Sequence, residues 1–377
     1  NNLHVVHTDD KIFTSADEGM TWSLHADFTL GTLDRLLTVD NILFGFVRMA
    51  QYEPYQRAFV SNDGIQWRWA HDGLPPWMGY YYNPLNGHNL SIETDFFSYG
   101  GNYYLHLEFS GIFATTDTFN VWFPLELIQY NNYELADSIF FKGRDGGLRK
   151  SHAPSLYGEL VSGNVFLDRN DNGLQESEEQ GLKNIHVSLI DPESIYPYYG
   201  TMTEDQGIYK LGMNLDSEDT LKCNFTSRYL QHIHPEQYLI TGGSEDYHFG
   251  IVLEPDKTDL SLRGNSGRYR PGFDTNIHLT YNNEGSTEPE SYLRFHMDSV
   301  LEFIHATPPP TSIDGDTMLW LLGQLPIASS GSIKIVVHVP STVLPETVIW
   351  SSAHVSPSGN EETPGDNNTI LSSLAFG

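Results

Sequence analysis

Apolar residues in this chain recur at the spacing of a strand, and no apolar stripe at helical spacing runs for more than two turns. Runs such as Asn41-Ile-Leu-Phe-Gly-Phe-Val, Asn102-Tyr-Tyr-Leu-His-Leu and Ser332-Ile-Lys-Ile-Val-Val-His-Val alternate with turns rich in Gly, Pro, Asn and Asp. The expected fold is therefore all-β. The 33 Gly, 20 Pro, 21 Tyr and 20 Phe agree with turn-rich sheets, and 377 residues call for two or three domains. Shifts in composition divide the chain into 1–154, which is aromatic-rich, 155–255, with acidic loops and glycine-punctuated strands, and 256–377, with longer alternating runs spaced like a β-sandwich.

The first stretch repeats itself. Ser15-Ala-Asp17-Glu-Gly19-Met-Thr21-Trp22 returns as Ser61-Asn-Asp63-Gly64-Ile-Gln-Trp67 and, without its glycine, as Thr115-Thr-Asp117-Thr-Phe-Asn-Val-Trp122. Each copy follows strand-like runs. The hydroxyl and carboxylate suit hydrogen bonds to a tight turn, glycine suits a positive φ, and the indole is expected to bury beneath the hairpin. The motif resembles the Asp-box, or bacterial neuraminidase repeat, and the resemblance implies β-propeller blades over 1–154. A propeller has about four to eight blades, so three copies and one partial repeat imply an incomplete one, with blades missing upstream or closure through a partner.

The sharpest chemistry lies in Asp168-Arg-Asn170-Asp-Asn172-Gly173-Leu174-Gln-Glu176-Ser-Glu-Glu179. Side-chain oxygens at positions 1, 3, 5, 9 and 12 and a backbone carbonyl at 7 match the spacing of an EF-hand loop, and hard oxygen donors favour calcium. The candidate ligands are Asp168, Asn170, Asn172, the carbonyl of Leu174, Glu176 and Glu179. The flanks, Gly163-Asn-Val-Phe-Leu and Ile185-His-Val-Ser-Leu, read as strands and not as helices. With the later Thr203-Glu-Asp205-Gln-Gly207-Ile-Tyr209, this stretch resembles the B-type domain of serine-aspartate repeat surface proteins. That resemblance implies a small β-sandwich, bound calcium and the role of a stiff stalk.

The last stretch, with Asp259-Leu-Ser-Leu, Leu319-Trp320-Leu-Leu and Thr363-Pro-Gly-Asp366-Asn367, resembles the conserved repeat domain of Bacteroidetes surface proteins and implies an immunoglobulin-like sandwich without chemistry. In proteins of that architecture a type IX secretion sorting domain often follows. Asp366 and Asn367 offer oxygens to a cation but are expected in an exposed turn.

Charge narrows the functions. Twenty Lys and Arg against 49 Asp and Glu give a formal −29, which repels nucleic acid and anionic lipid. The lone Cys223 forms no internal disulfide and reads as a buried apolar residue, and no apolar run is long enough to span a membrane. His232 and His234 alternate on one side of a strand without a third ligand at suggestive spacing, and read as surface or packing residues. A sialidase needs an arginine cluster, a Tyr–Glu nucleophile pair and an acid/base Asp. None of Arg35, Arg48, Arg57, Arg68, Arg144 and Arg149 stands in the expected Arg-Ile-Pro context. The chain is thus expected to be a non-enzymatic bacterial adhesin or structural protein, secreted or held at the cell surface, that self-associates or joins a larger assembly. The alternatives are a secreted glycoside hydrolase and an extracellular filament subunit. Trp69, Trp77, Tyr80 and Tyr81 are the candidate contacts for glycan or protein, with core packing as the competing reading.

Overall fold

The computed structural model describes residues 4–8, 11–27, 31–49, 56–70, 72–74, 80–83, 88–91, 94–99, 101–107, 111–116, 119, 121–126, 130–135, 139–143, 148–151, 158–190, 199–214, 219–240, 246–357 and 361–376. These residues are all-β. Their single helical segment is the 3-10 turn Asp205–Gly207, and no helix among them is long and apolar enough to cross a membrane. Contacts divide the chain into one unit of Asn1–Phe225 with His232–Val252, and another of Thr226–Gln231 with Leu253–Gly377.

The first unit opens with antiparallel meanders. One runs His4–His7, Lys11–Ser15 and Ser23–Asp27. The next runs Gly31–Val39, Ile42–Met49, Gln56–Ser61 and Arg68–Trp69. The hairpin Tyr80–Asn83 with His88–Ser91 comes before a third meander of Thr94–Tyr99, Asn102–Leu107, Gly111–Thr115 and Phe123–Glu126. Three strands, Tyr130–Leu135, Ile139–Gly143 and Leu148–Ser151, follow.

Consecutive sheets share cores. Ile12 of the first packs with Leu33, Val47 and Phe59 of the second. Phe44 of the second stacks on Phe96 of the third, at 4.8 Å between ring centres, and meets Trp122 edge-on at 5.5 Å. Such aromatic pairs add about 0.5–1.5 kcal/mol each to the burial of their area. The result is a series of packed meanders; a closed propeller is not seen among the described residues.

The remainder of the first unit is two facing four-stranded sheets. In one, Gly158–Leu167 lies between Ile208–Asn214 and Phe249–Leu253, with Leu230–His234 outside Phe249–Leu253. In the other, His186–Ile190 lies between Tyr199–Met202 and Asp219–Asn224, with Tyr238–Ile240 at the edge. Val161, Val165, Val187, Leu189, Leu211, Leu221 and Phe249 are wholly buried between them. Cys223 lies in this interior as expected, and burial pushes its thiol up to about 12.

Two close approaches lock this sandwich. A Cβ on Gly163 would lie 1.7 Å from the Tyr247 carbonyl, and one on Gly181 would lie 1.8 Å from the Gln206 carbonyl. Tyr209 is 1% exposed and donates its hydroxyl hydrogen bond to the Tyr247 carbonyl at 2.5 Å. The tyrosine of the second sequence signature is therefore a strut between strands.

The second unit is a sandwich of a four-stranded sheet and a five-stranded one. The first is ordered Leu260–Ser266, Phe273–Asn283, Ser330–Val339, Glu302–Thr307. The second is ordered Ser312–Asp314, Thr317–Gln324, Glu290–His296, Val348–Pro357, Asn368–Leu374. Burial alternates along Val348–Pro357, as a one-sided strand requires, and Ile277, Leu293, Phe295, Ile335, Val337 and Val355 meet in one core.

Gly181→Ala is expected to fall at the upper end of the about 1–3 kcal/mol cost of overpacking, because its obstacle is backbone. Gly101→Ala, at φ +84° with open space around it, is expected to cost only the left-handed strain of about 1–2 kcal/mol. Urea midpoints of the two variants against the parent check the order.

Candidate metal centre

The acidic loop is closed at its base by its own chain. The strand Gly158–Leu167 ends, the chain loops out, and residues 180–182 return alongside that strand. Leu167 N–H donates to the Gln180 carbonyl at 2.9 Å, and Leu182 N–H donates to the Val165 carbonyl at 2.8 Å. Asp168 is held at the root of the loop by its N–H, which donates to the Ile251 carbonyl at 2.9 Å.

That closure buries the two carboxylates at the loop's ends. Asp168 is 1% exposed and Glu179 is 6% exposed. Asp168 accepts the Gly173 N–H on Oδ2 at 2.8 Å and the Asn172 N–H on Oδ1 at 3.2 Å. Glu179 accepts the Arg169 N–H on Oε1 at 2.7 Å and the Glu176 N–H on Oε2 at 3.2 Å. Backbone amides thus offset part of the cost of burying charge.

The middle of the loop is exposed and self-bonded. Asn170 Oδ1 accepts the Asn172 N–H at 3.2 Å, Asn172 Oδ1 accepts the Leu174 N–H at 2.8 Å, and Asn172 Nδ2 donates to Glu176 Oε1 at 2.5 Å. The Asn172 amide, and then Glu179, hold Glu176 below the usual carboxylate range. Gly173 turns at φ +73°, where a Cβ would strike the His234 ring at 2.3 Å. His232 Nε2 lies 2.7 Å from Asp171 Oδ1. The alternating histidines of Leu230–His234 thus contact the loop from one strand. The expected ligand positions are all on this one loop, their donors are all oxygens, and the donor set fits a hard divalent cation.

The turn motifs occupy one place in the fold: each joins the penultimate strand of its meander to the last. In the first, Gly19 N–H donates to Ser15 Oγ at 2.8 Å, Ser15 Oγ donates to Asp17 Oδ1 at 2.8 Å, and Thr21 N–H donates to Asp17 Oδ1 at 2.9 Å. The Thr21 hydroxyl and amide, with Ser15, hold Asp17 down at about 2. In the second, Gly64 N–H donates to Ser61 Oγ at 2.8 Å, and Asp63 Oδ1 accepts the Ile65 and Gln66 amides, each at 2.8 Å.

The tryptophans differ from expectation in one case. Trp122 is fully buried and donates to the Ala70 carbonyl at 2.8 Å, and Trp67 packs on Phe59 with ring centres 5.1 Å apart. Trp22 is 42% exposed, because its ring lies over Gly19, 3.5 Å from where a Cβ would stand, and not beneath the hairpin. In the third copy Thr115 Oγ1 donates to the Val121 carbonyl at 2.8 Å, and Phe119 takes the position of Gly19 with φ +51°. Packing on Tyr103, 4.7 Å away, and on Trp122, 5.9 Å away, retains that unfavourable backbone. Asp117 lies outside the described residues.

Of the candidate contact aromatics, Trp69 is 44% exposed, with the Arg57 guanidinium 5.8 Å from its ring centre. Tyr80 and Tyr81 lie on the strand Tyr80–Asn83, and Trp77 lies outside the described residues. Arg57 itself donates to Asn184 Oδ1 at 2.7 Å and pairs with Glu204 at 3.4 Å, while Arg68 lies over Phe119.

Sequence reasoning named Asp366 as an oxygen donor but missed its partners. Asp259, Glu361 and Asp366 bring carboxylate oxygens within 4.8 Å of one another in the second unit. Their separation along the chain left no spacing to read. Asn367, expected in an exposed turn, is 2% exposed, because its carboxamide turns inward to Glu361.

The chain matches no known family profile. No curated protein matches it. Among solved structures it has a distant likeness to bacterial pilin and cohesin β-sandwich domains. With the major pilin subunit BcpA of Bacillus cereus the TM-score is 0.23 at 9% identity, covering 58% of this chain and 69% of that one. With the major pilin SpaD of Corynebacterium diphtheriae it is 0.23 at 10% identity, covering 58% and 67%. With the sixth cohesin of Acetivibrio cellulolyticus scaffoldin B it is 0.23 at 13% identity, covering 32% and 99%.

His186, on the strand that follows the loop, gives this unit an acid sensitivity. Burial depresses its ring to about 4 from the usual 6.5, so the unfolded chain takes a proton that the folded chain refuses. Its contribution is intact above pH 6.5, is lost as pH falls toward 4, and is flat below. Thermal melts between pH 7 and 4 are expected to fall more steeply for the parent than for His186→Gln; parallel curves contradict the assignment.

Proposed function

We propose that the chain is a non-enzymatic, extracellular or cell-surface protein serving adhesion or assembly, with a middle sandwich stiffened by calcium. The observation that carries this reading is the burial of Asp168 and Glu179 at the root of one closed, all-oxygen loop. Asp168, Asn170, Asn172, the Leu174 carbonyl, Glu176 and Glu179 would hold the ion. Calcium would supply charge neutralisation: it offsets repulsion among the loop's carboxylates and couples ion binding to folding.

Two features suit an ion to that role. A formal charge of −29 makes compensation by free divalent cations favourable, and a single cysteine leaves no internal disulfide to do the stiffening. On this reading the meanders of 1–154 are Asp-box propeller blades, and Trp69, half-exposed beside Arg57, belongs to a surface for glycan or protein. The partners proposed are a glycan or surface protein and further copies of the chain or a larger cell-surface assembly.

Calcium at about one hundred times its Kd adds about 2.7 kcal/mol, which is about 5–10 °C in the melting temperature of a unit of this size. The parent is expected to show that rise over chelator in the calorimetric transition of the first unit. The same first-unit transition of Asp168→Ala is expected to be unmoved between the two conditions. A parent that melts identically with calcium and with chelator removes the reading.

A further inference from the structure

A second group of carboxylates lies in the other sandwich, where the chain enters the strand Leu260–Ser266 and where it enters the strand Asn368–Leu374. Asp259 is 1% exposed. Its Oδ1 accepts the Thr363 hydroxyl at 2.8 Å, and its Oδ2 accepts the Tyr229 hydroxyl at 2.8 Å. Glu361 accepts the Leu260 N–H at 2.8 Å and the Asn367 Nδ2 at 2.6 Å. The Leu262 N–H donates to the Asp366 carbonyl at 2.9 Å, tying the two strand entries together.

Charge does not balance here. Asp259, Asp366 and Glu284 face the single guanidinium of Arg228, at 3.5, 3.7 and 3.8 Å, and Glu361 adds a further carboxylate. Arg228 reaches the Oδ2 atoms of Asp259 and Asp366. Asp366 Oδ1 is buried with no hydrogen-bond donor, and so is the Oδ1 of Asn367, a residue 2% exposed whose amide nitrogen is already on Glu361. Buried oxygens without donors are costly, and a carboxylate oxygen more so. Burial, and then the Asp259 charge, push Asp366 above the usual carboxylate range; burial also raises Glu361. A bound cation would satisfy both orphaned oxygens and the excess charge together.

We propose that Asp259, Glu361, Asp366 and the Asn367 carboxamide oxygen form a divalent-cation site in the C-terminal sandwich, separate from the loop at 168–179. The donors are all hard oxygens, which selects calcium over zinc. The ion ties the first strand of the sandwich to the last across their entry points.

The two sites are separable in one experiment. Calcium is titrated calorimetrically into the chelator-stripped full chain at neutral pH, with circular dichroism confirming the fold of each variant. The parent is expected to bind two equivalents, Asp366→Asn and Glu361→Gln one each, and Asp168→Ala one. Two equivalents retained in both Asp366→Asn and Glu361→Gln overturn the proposal, whatever Asp168→Ala shows. Should those two variants fail to fold, the parent and Asp168→Ala decide: no calcium bound by a folded Asp168→Ala, or a single equivalent in the parent that Asp168→Ala abolishes, overturns it as well.

Discussion

The middle sandwich depends on a chain that folds back on its own strand. Hydrogen bonds between Leu167 and Gln180 and between Leu182 and Val165 bring the two ends of a twelve-residue acidic loop together, and with them Asp168 and Glu179. Both carboxylates then leave water. Neither position is tolerable for an unsatisfied anion, and backbone amides of Arg169, Asn172, Gly173 and Glu176 turn toward them. The loop is built around negative charge before any ion is considered.

The closure reaches further through close backbone contacts. Gly181, on the returning segment, lies against the Gln206 carbonyl, and a Cβ on Gly207 would meet the Val165 carbonyl at 2.0 Å. Thr203 Oγ1 donates to the Leu182 carbonyl at 2.6 Å and accepts the Ile185 N–H at 2.8 Å. The loop and the turn at 203–207 are therefore one mechanical element. Order imposed on the loop would pass to the strands that these contacts join.

Much of this was legible in the residues. Alternation marked the strand along 332–339, because a strand packed on one face must hide every second side chain. The loop closed by Asp168 and Glu179 was legible because its oxygen-bearing side chains lie within one short stretch of chain. Phe119 shows where such reading ends: a missing glycine suggested a broken motif, yet aromatic packing holds phenylalanine in the same left-handed turn. Trp22 shows the converse, a matching residue whose ring is not buried. The partners of Asp366 in that cluster, Asp259 and Glu361, were illegible, because the residues meet only where the start of the first strand, in one sheet, approaches the segment entering the last strand, in the other. The burial of Asn367 goes with the same approach, its carboxamide turning to Glu361.

On the proposed reading, the loop at 168–179 is preorganised for an ion that completes it. Amide hydrogen exchange of the full chain, in millimolar calcium and in chelator, tests this most directly. The amides of Arg169, Gly173 and Glu176 already point at buried carboxylates, so calcium is predicted to slow their exchange, together with that of Leu182 and Ile185 behind them. Exchange at these amides that is the same in both conditions would contradict the account.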